Sequence, residues 1–438
     1  MDKIAATLQP LPAASLVVAY SGGLDSTVLL HALAALPLAR TQGLRALHVH
    51  HGLHADADAW AAHCERVCIE LGIRLDVLRV IVDARDGGPE AGARAARYTA
   101  FRDALGEHEM LALAQHRDDQ AETVLLRLLR GAGGDGLAAM GVNSIRHGVR
   151  LWRPLLDTTR DEIRACADAH ALRWVEDPSN ADARFERNFL RLRVLPLLRE
   201  RWPHAAQSLA RSAALLAEQS ALLDDETGWR RNAIQGVDAH TLLLSKLLQQ
   251  PRPWRLRVLR QWLRGLRLPP PSWAILDAIE RDLLPARTDT QARVAWAGAE
   301  LRCWRDLLFA QRARAPLPHD LALVWDGRAT LPLPGGDAMA LEGACGFDAP
   351  LAVRARQGGE RLLLAGRAHR HTLKHALQQF DVPPWRRERL PLLFASDGEL
   401  LAAGDLLLSA RMQHWLRERG AALRWEHAAT PVDPVAND

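Results

Sequence analysis

Residues 16–30 read LVVAYSGGLDSTVLL, and the order of residue types in this stretch decides the fold. Positions 16–19 form a short apolar run of the kind that makes a buried strand. Gly22 and Gly23 follow, then Leu24, Asp25, Ser26 and Thr27, and the apolar series Val28, Leu29, Leu30, Ala32, Leu33 suits a helix. A strand that passes through glycines into a helix N-terminus aims backbone N–H groups and the positive end of the helix dipole at one point, which is a way of holding an anion. Glycine lets the backbone approach phosphate oxygens closely. Ser21, Ser26 and Thr27 add hydroxyl donors.

The pattern continues outward from this loop. Runs at 44–50, 75–82 and 110–114 read as further strands, and 27–36, 56–71, 90–105 and 119–129 read as helices. Alternation of this kind predicts an α/β fold, a doubly wound parallel sheet with helices on both faces, over residues 1–204. Ligands of such sheets bind at the carboxyl ends of the strands. Residues 205–335 read as a mainly helical middle domain, with strand-like runs at 300–304 and 321–325. Residues 345–427 read as a small α+β C-terminal domain, with strands near 361–364, 390–394 and 400–403 and a helix near 372–380. The last residues, 428–438, read as a disordered tail.

The ordinary P-loop, GxxxxGK[ST], needs a lysine for the β- and γ-phosphates, and no lysine lies between Lys3 and Lys246. The run SGGLDS instead resembles the PP-loop of ATP pyrophosphatases, which release pyrophosphate and transfer AMP to a substrate oxygen. Asp25 is then the carboxylate for Mg²⁺ or for the phosphate side, because adjacent phosphates call for a divalent cation.

Composition narrows the function. The five cysteines are scattered and include no CxxC pair, which argues against a disulfide framework or a structural zinc site. No apolar run reaches the roughly 18 residues of a membrane span, and the N-terminus lacks the pattern of a signal peptide, so a reducing cytoplasm fits. Of the 56 basic residues, 53 are arginine, and the net charge is +4. Residues 352–390 alone carry nine basic against three acidic residues, which marks the C-terminal unit, Arg370 and Lys374 included, as a candidate phosphate-binding surface.

Other groups stand at the ends of predicted strands. HVHHGLHADAD, from His48, offers His50 and His51 to a nucleotide or a base, although a plain strand end would look the same. Glu90, Arg94 and Arg97 share a helix face, as they also would in a surface salt-bridge ladder. AQHRDDQAET, from Ala114, opens a helix with His116, Asp118, Asp119 and Glu122; Asp119 and Glu122 share a face, which by itself suits a helix N-terminus and, beside a phosphate-binding loop, suits a cradle for an ammonium group or a metal. Arg130 leads into the glycine-rich run GAGGDGL. The turn signal EDPSN is followed by Arg184, Arg187, Asn188, Arg191 and Arg193, suited to phosphates or to a solvated face.

In this order, SGGLDST, HVHHGL, Glu90 with Arg94, Arg97 and Tyr98, QHRDDQAET, RGAGGDGL, Arg153–Leu156 and EDPSN…FERNFLRLRVLP resemble the tRNA(Ile)-lysidine synthase family, and GGERLLLAGRAHRHTLKHALQQFDVPPWRRERLPLL resembles its C-terminal domain. One departure is His54, where arginine is frequent in the family. The resemblance implies an enzyme that uses ATP to adenylate C2 of the wobble cytidine in a tRNA(Ile) with a CAU anticodon. The ε-amine of free lysine then displaces AMP, giving lysidine and changing codon reading from AUG to AUA. It implies that Ser21, Gly22, Gly23, Leu24, Asp25, Ser26, Thr27 and His50 hold ATP, with Mg²⁺ on Asp25. Asp25, His116, Asp119, Glu122 and Arg97 are the implied catalytic residues, with Glu122 or His116 taking the proton of the amine. Arg94, Arg97, Asp119, Glu122, Arg187, Asn188, Arg191, Arg370 and Lys374 are the implied contacts to lysine, adenylate and tRNA. The family is often dimeric, and no interface is readable in the sequence. A sulfur-inserting relative would need reactive cysteines or an iron–sulfur cluster, and Cys64 and Cys68 fall on an amphipathic helix as core residues would.

Overall fold

The structure, a computed structural model, describes residues 2–82, 88–286, 292–367 and 369–426, so the tail expected at 428–438 lies outside the described residues. The chain divides into two compact units, the first ending at Glu226 and the second beginning at Thr227.

The first unit is built on a six-stranded sheet. Its strands are β1 (Ser15–Ala19), β2 (Leu44–His50), β3 (Arg74–Arg79), β4 (Glu109–Ala112), β5 (Asn143–Arg146) and β6 (Val149–Trp152). They lie in the order β3-β2-β1-β4-β6-β5, all parallel except the edge strand β5. Its helices through residue 169 are α1 (Asp2–Thr7), α2 (Leu24–Ala34), α3 (Pro37–Thr41), α4 (Ala57–Leu71), α5 (Gly88–Ala104), α6 (Arg117–Leu129), α7 (Gly134–Leu137) and α8 (Arg160–Ala169), with further helical segments after Pro178. The chain leaves β1 for β2 on one side and later returns to place β4 on the other, so the strand order reverses at β1. At such a switch point the loops after the two strands part and leave a crevice. The loop after β1 is the glycine loop, and the loop after β4 carries His116, so the topology itself brings two of the sequence motifs face to face.

Helix α2 is buried on nearly every side. Val28, Leu29, Leu30 and Leu33 are wholly covered, and the helix packs against β1 and α8. Each such leucine contributes roughly 1.5–3 kcal/mol by leaving water, so the N-terminus of α2 is fixed in place by its own core. The hairpin β5–β6 is an element the sequence analysis did not anticipate. It turns through His147 and Gly148, both at positive φ (50° and 80°), as a two-residue hairpin requires.

The second unit contains helices Arg252–Gly265 and Trp273–Ala278 over a sheet of four short antiparallel strands, Thr241–Leu243, Leu307–Arg312, Ala299–Trp304 and Arg293–Trp296. The region read as mainly helical thus carries a sheet as well. A five-stranded sheet follows, including Leu351–Arg354, Leu392–Phe394 and Leu400–Ala403, with helices Leu373–Gln379 and Ala410–Arg419 around a second core. Among the described residues, no helix is long and apolar enough to cross a membrane.

Candidate active site

Gly22 has φ +83°, and a Cβ there would stand 2.9 Å from the Cys64 sulfur, so glycine is required on both counts. Gly23 is the N-cap of α2 and supplies no side-chain cap. The first N–H groups of a helix have no partner within it, which leaves those of Leu24, Asp25 and Ser26 for a ligand. The Ser21 and Ser26 hydroxyls lie 3.0 Å apart, and Ser26 donates to the Gly23 carbonyl at 3.1 Å. Thr27 is fully buried beside Tyr20 and the Gly22 carbonyl, so its hydroxyl braces the loop from beneath. Val175 N–H donates to the Gly22 carbonyl at 2.9 Å and brings the segment before the EDPSN turn against the glycine loop.

Asp25 stands on the first turn of α2. Its Oδ1 is buried with no hydrogen-bond partner. Burial pushes its carboxyl above the usual range, more than nearby His116 pulls it down. Across the crevice, His116 caps α6: its Nδ1 accepts from Asp118 N–H at 3.2 Å, and its own N–H donates to Asp119 Oδ2 at 3.0 Å. Its Nε2 lies 3.4 Å from Asp119 Oδ2 and 3.7 Å from Asp25 Oδ2. Asp118, the next residue but one, is anchored by Arg199 at 2.6 Å.

Arg187 and Arg191 approach from the far side of α6, on helix Glu186–Phe189 and the π-turn Leu190–Val194 that continues it. Arg187 Nε donates to Glu122 Oε2 at 2.8 Å, Arg191 Nε to Oε1 at 2.7 Å, and Arg191 Nη2 to Asp119 Oδ1 at 2.9 Å. Glu122 has no exposed surface. Burial raises the Asp119 carboxyl, but His116, Arg187 and Arg191 together outweigh it and hold Asp119 below the usual range. Leu195, Ala206 and Ala121 pack the two segments together. Asn188 spends its amide on the Ser179 and Asp182 carbonyls at 2.9 and 3.0 Å, holding the loop after EDPSN.

A separate basic group gathers around α5. Arg97 donates to His51 Nε2 at 3.2 Å. Burial, then Arg97, push the His51 imidazole down to about 4. The Arg146 guanidinium, on the hairpin missed from sequence, lies 5.3 Å over the Tyr98 ring. Arg94 stands on the same helix, while the Glu90 side chain lies outside the described residues. His50 is turned to Asp58 and Arg79, at 3.2 and 3.4 Å. Arg370 and Lys374 are exposed on the second unit. Other members of the basic stretch are spent internally: Arg387 is buried and donates to the Val382 carbonyl at 2.6 Å, and Arg389 pairs with Asp337. Cys64 and Cys68 are buried, and burial pushes their thiols up to about 12 and about 11, far from the thiolate that sulfur transfer uses.

A glycine loop of this build, without a P-loop lysine and set at the switch point of a parallel sheet, defines a PP-loop nucleotide-binding enzyme, and a family model described as a PP-loop domain matches residues 1–198. Models of a TilS substrate binding domain and a TilS substrate C-terminal domain match residues 242–309 and 351–425. Over 424 residues the chain is 52% identical to a tRNA(Ile)-lysidine synthase of Xanthomonas campestris pv. campestris (strain 8004), covering 95% of this chain and 96% of that protein. It is 40% identical over 428 residues to the tRNA(Ile)-lysidine synthase of Escherichia coli O157:H7, covering 96% and 98%. Among solved structures, a U34-tRNA thiolase of Methanococcus maripaludis aligns with 50% of this chain and 78% of its own, at 20% identity and a TM-score of 0.40. The chain belongs to the tRNA(Ile)-lysidine synthase family.

Proposed function

We propose that this enzyme ligates free lysine to C2 of the wobble cytidine of a tRNA(Ile) with a CAU anticodon, through an adenylated cytidine, releasing pyrophosphate and AMP. The observation that carries the reading is the meeting of Asp25, on the glycine loop, with His116 and Asp119 across the strand switch point. It sets a phosphate-holding loop beside a carboxylate-rich wall, as a reaction between a nucleotide and an amine requires.

The phosphates of ATP rest on the N–H groups opening α2 and on the Ser21 and Ser26 hydroxyls. Mg²⁺ fits beside Asp25, whose buried Oδ1 lacks a partner, because this ion is commonly held by one or two carboxylates together with substrate phosphates. When bound, it neutralises phosphate charge. A base oxygen is a poor leaving group until adenylation makes it part of a phosphate ester, which is why the amine attacks second. Arg94 and Arg97 suit the lysine carboxylate or the charge developing on phosphate. Asp119 and Glu122 suit the lysine ammonium, which must compete with Arg187 and Arg191 for the same oxygens. Arg187 and Arg191 suit the adenylate once released from those carboxylates. Arg370 and Lys374 suit tRNA phosphates. A three-part division near 1–204, 205–335 and 345–427, a cytoplasmic location and a homodimer belong to the same reading.

The test is pyrophosphate release from ATP and Mg²⁺. Release on adding unmodified tRNA(Ile) bearing CAU supports the reading, and Asp25→Ala abolishes it while leaving tRNA affinity within about twofold. Equal release by Asp25→Ala, or none by the unaltered enzyme, refutes it.

A further inference from the structure

The α6 cap settles where His116 carries its proton. A backbone N–H can only donate, so the hydrogen bond from Asp118 N–H at 3.2 Å requires a lone pair on Nδ1. The neutral ring then holds its hydrogen on Nε2. Protonating Nδ1 would set two N–H donors head to head inside a group that is 1% exposed. In this tautomer the one ring hydrogen points out from Nε2, away from the cap.

The Nε2–H faces two carboxylates, at 3.4 Å from Asp119 Oδ2 and 3.7 Å from Asp25 Oδ2. These belong to different motifs on either side of the crevice, and like charges this close repel. Asp119 is otherwise fixed, by His116 N–H on one oxygen and Arg191 on the other. Asp25 has no hydrogen bond to its buried Oδ1. The donor edge of the ring thus stands between the wall and the loop, nearer Asp119 and beyond direct hydrogen-bond reach of Asp25.

We propose that His116 is a positioning residue: capped as the Nε2–H tautomer, it places one N–H between Asp119 and Asp25 and so fixes the Asp25 carboxylate for the phosphate side of the site. This rests on the reading of Asp25 given above. It makes the N-cap of α6 part of the nucleotide site. It also gives a reason for histidine at a cap where serine, threonine, asparagine or aspartate ordinarily serves: those residues cap equally well, but none also reaches across with a second, donating nitrogen.

Two substitutions separate the two ends of the ring. In His116→Asn the side-chain oxygen takes the place of Nδ1, keeping the cap but losing the far N–H. In His116→Gln the amide reaches the place of Nε2 and offers that N–H. The full-length enzyme is assayed for tRNA-dependent pyrophosphate release, with thermal melts alongside. His116→Asn is expected to melt with the unaltered protein and to lose about 10- to 100-fold in kcat, the usual scale for groups that orient a site. His116→Gln is expected to recover most of that loss. Full activity in His116→Asn, or equal loss of activity and stability in both variants, overturns the proposal, since the cap alone would then explain the residue. Independently of any activity, ¹⁵N spectra of histidine-labelled protein, with the His116 signal identified by its absence from His116→Gln, should show a bare Nδ1 and a protonated Nε2 at neutral pH. The opposite tautomer contradicts it. An unaltered enzyme that releases no pyrophosphate sinks the function proposed above, while the spectra still decide this one.

Discussion

Arg191 donates from Nε to Oε1 of Glu122 at 2.7 Å, closing on a carboxylate that has no exposed surface. With Arg187 on the other oxygen, Glu122 is neutralised from both sides before any substrate arrives. Glu122→Gln leaves two guanidiniums against a neutral amide. Removing one member of a buried ion pair costs about 3–5 kcal/mol. The cost here should fall near the lower end, because the arginine side chains are 26% and 22% exposed. Urea unfolding should show it, and pairing Glu122→Gln with Arg191→Gln should return at least half. An unchanged midpoint for the single variant would mean the pair adds nothing to the fold.

Gly22→Ala adds a Cβ at φ +83° and sets it 2.9 Å from the Cys64 sulfur. The left-handed backbone alone costs roughly 1–2 kcal/mol, and the clash adds to it. Stability and tRNA-dependent pyrophosphate release should fall together. Adding Cys64→Ala relieves the clash but not the backbone strain, so recovery should be partial. Complete recovery would assign the whole effect to the contact.

What the sequence could and could not disclose follows from distance along the chain. The glycine loop is local: strand, Gly22, Gly23 and Asp25 lie within ten residues, and each residue type has one physical reason to be there. Asp119 and Glu122 are also local, a shared face at helical spacing. The clamp of Arg187 and Arg191 on Glu122 is not. Before folding, those arginines look the same as a solvated helix face, and nothing nearby reveals that helix Glu186–Phe189 and the π-helical turn Leu190–Val194 carry them onto α6. The role of Asn188 was hidden likewise, since its partners are carbonyls of a loop. The β5–β6 hairpin left only a partial trace, since Gly148 suits the second turn position but His147 stands where asparagine, aspartate or glycine is the usual signal. It escaped because the strands are only four residues each. Charge counting over 352–390 overstated the free surface, because Arg387 and Arg389 are consumed inside the fold.

Arg370 and Lys374 remain exposed on the second unit. Replacing both by alanine should weaken tRNA binding about 5- to 30-fold at low salt. It should also reduce the slope of log K against log salt by roughly one to two, because each lost phosphate contact releases about one counterion fewer. An unchanged slope would show that these two residues meet no phosphate.

Glu162 supplies a pH test of the first unit. Lys3 foremost, then the Thr159 backbone N–H, hold its carboxyl down at about 2 against an ordinary 4.5. A carboxyl depressed by folding adds stability above its unfolded pKa and loses it as pH falls toward the folded value. Glu162→Gln, which also weakens the capping box at α8, should therefore cost about 1 kcal/mol at pH 7. That difference should shrink between pH 5 and pH 2. A penalty independent of pH would mean that the cap's shape, and not the charge, is what matters.

Lysine transfer into the RNA measures the ligation itself. The enzyme is incubated with ATP, Mg²⁺, radiolabelled lysine and unmodified tRNA(Ile) bearing CAU, and label in the RNA is counted. ATP-dependent incorporation into that tRNA is expected, and none into the methionine tRNA sharing its anticodon. Pyrophosphate release without lysine in the RNA would contradict it and point to a different nucleophile on the same adenylating site.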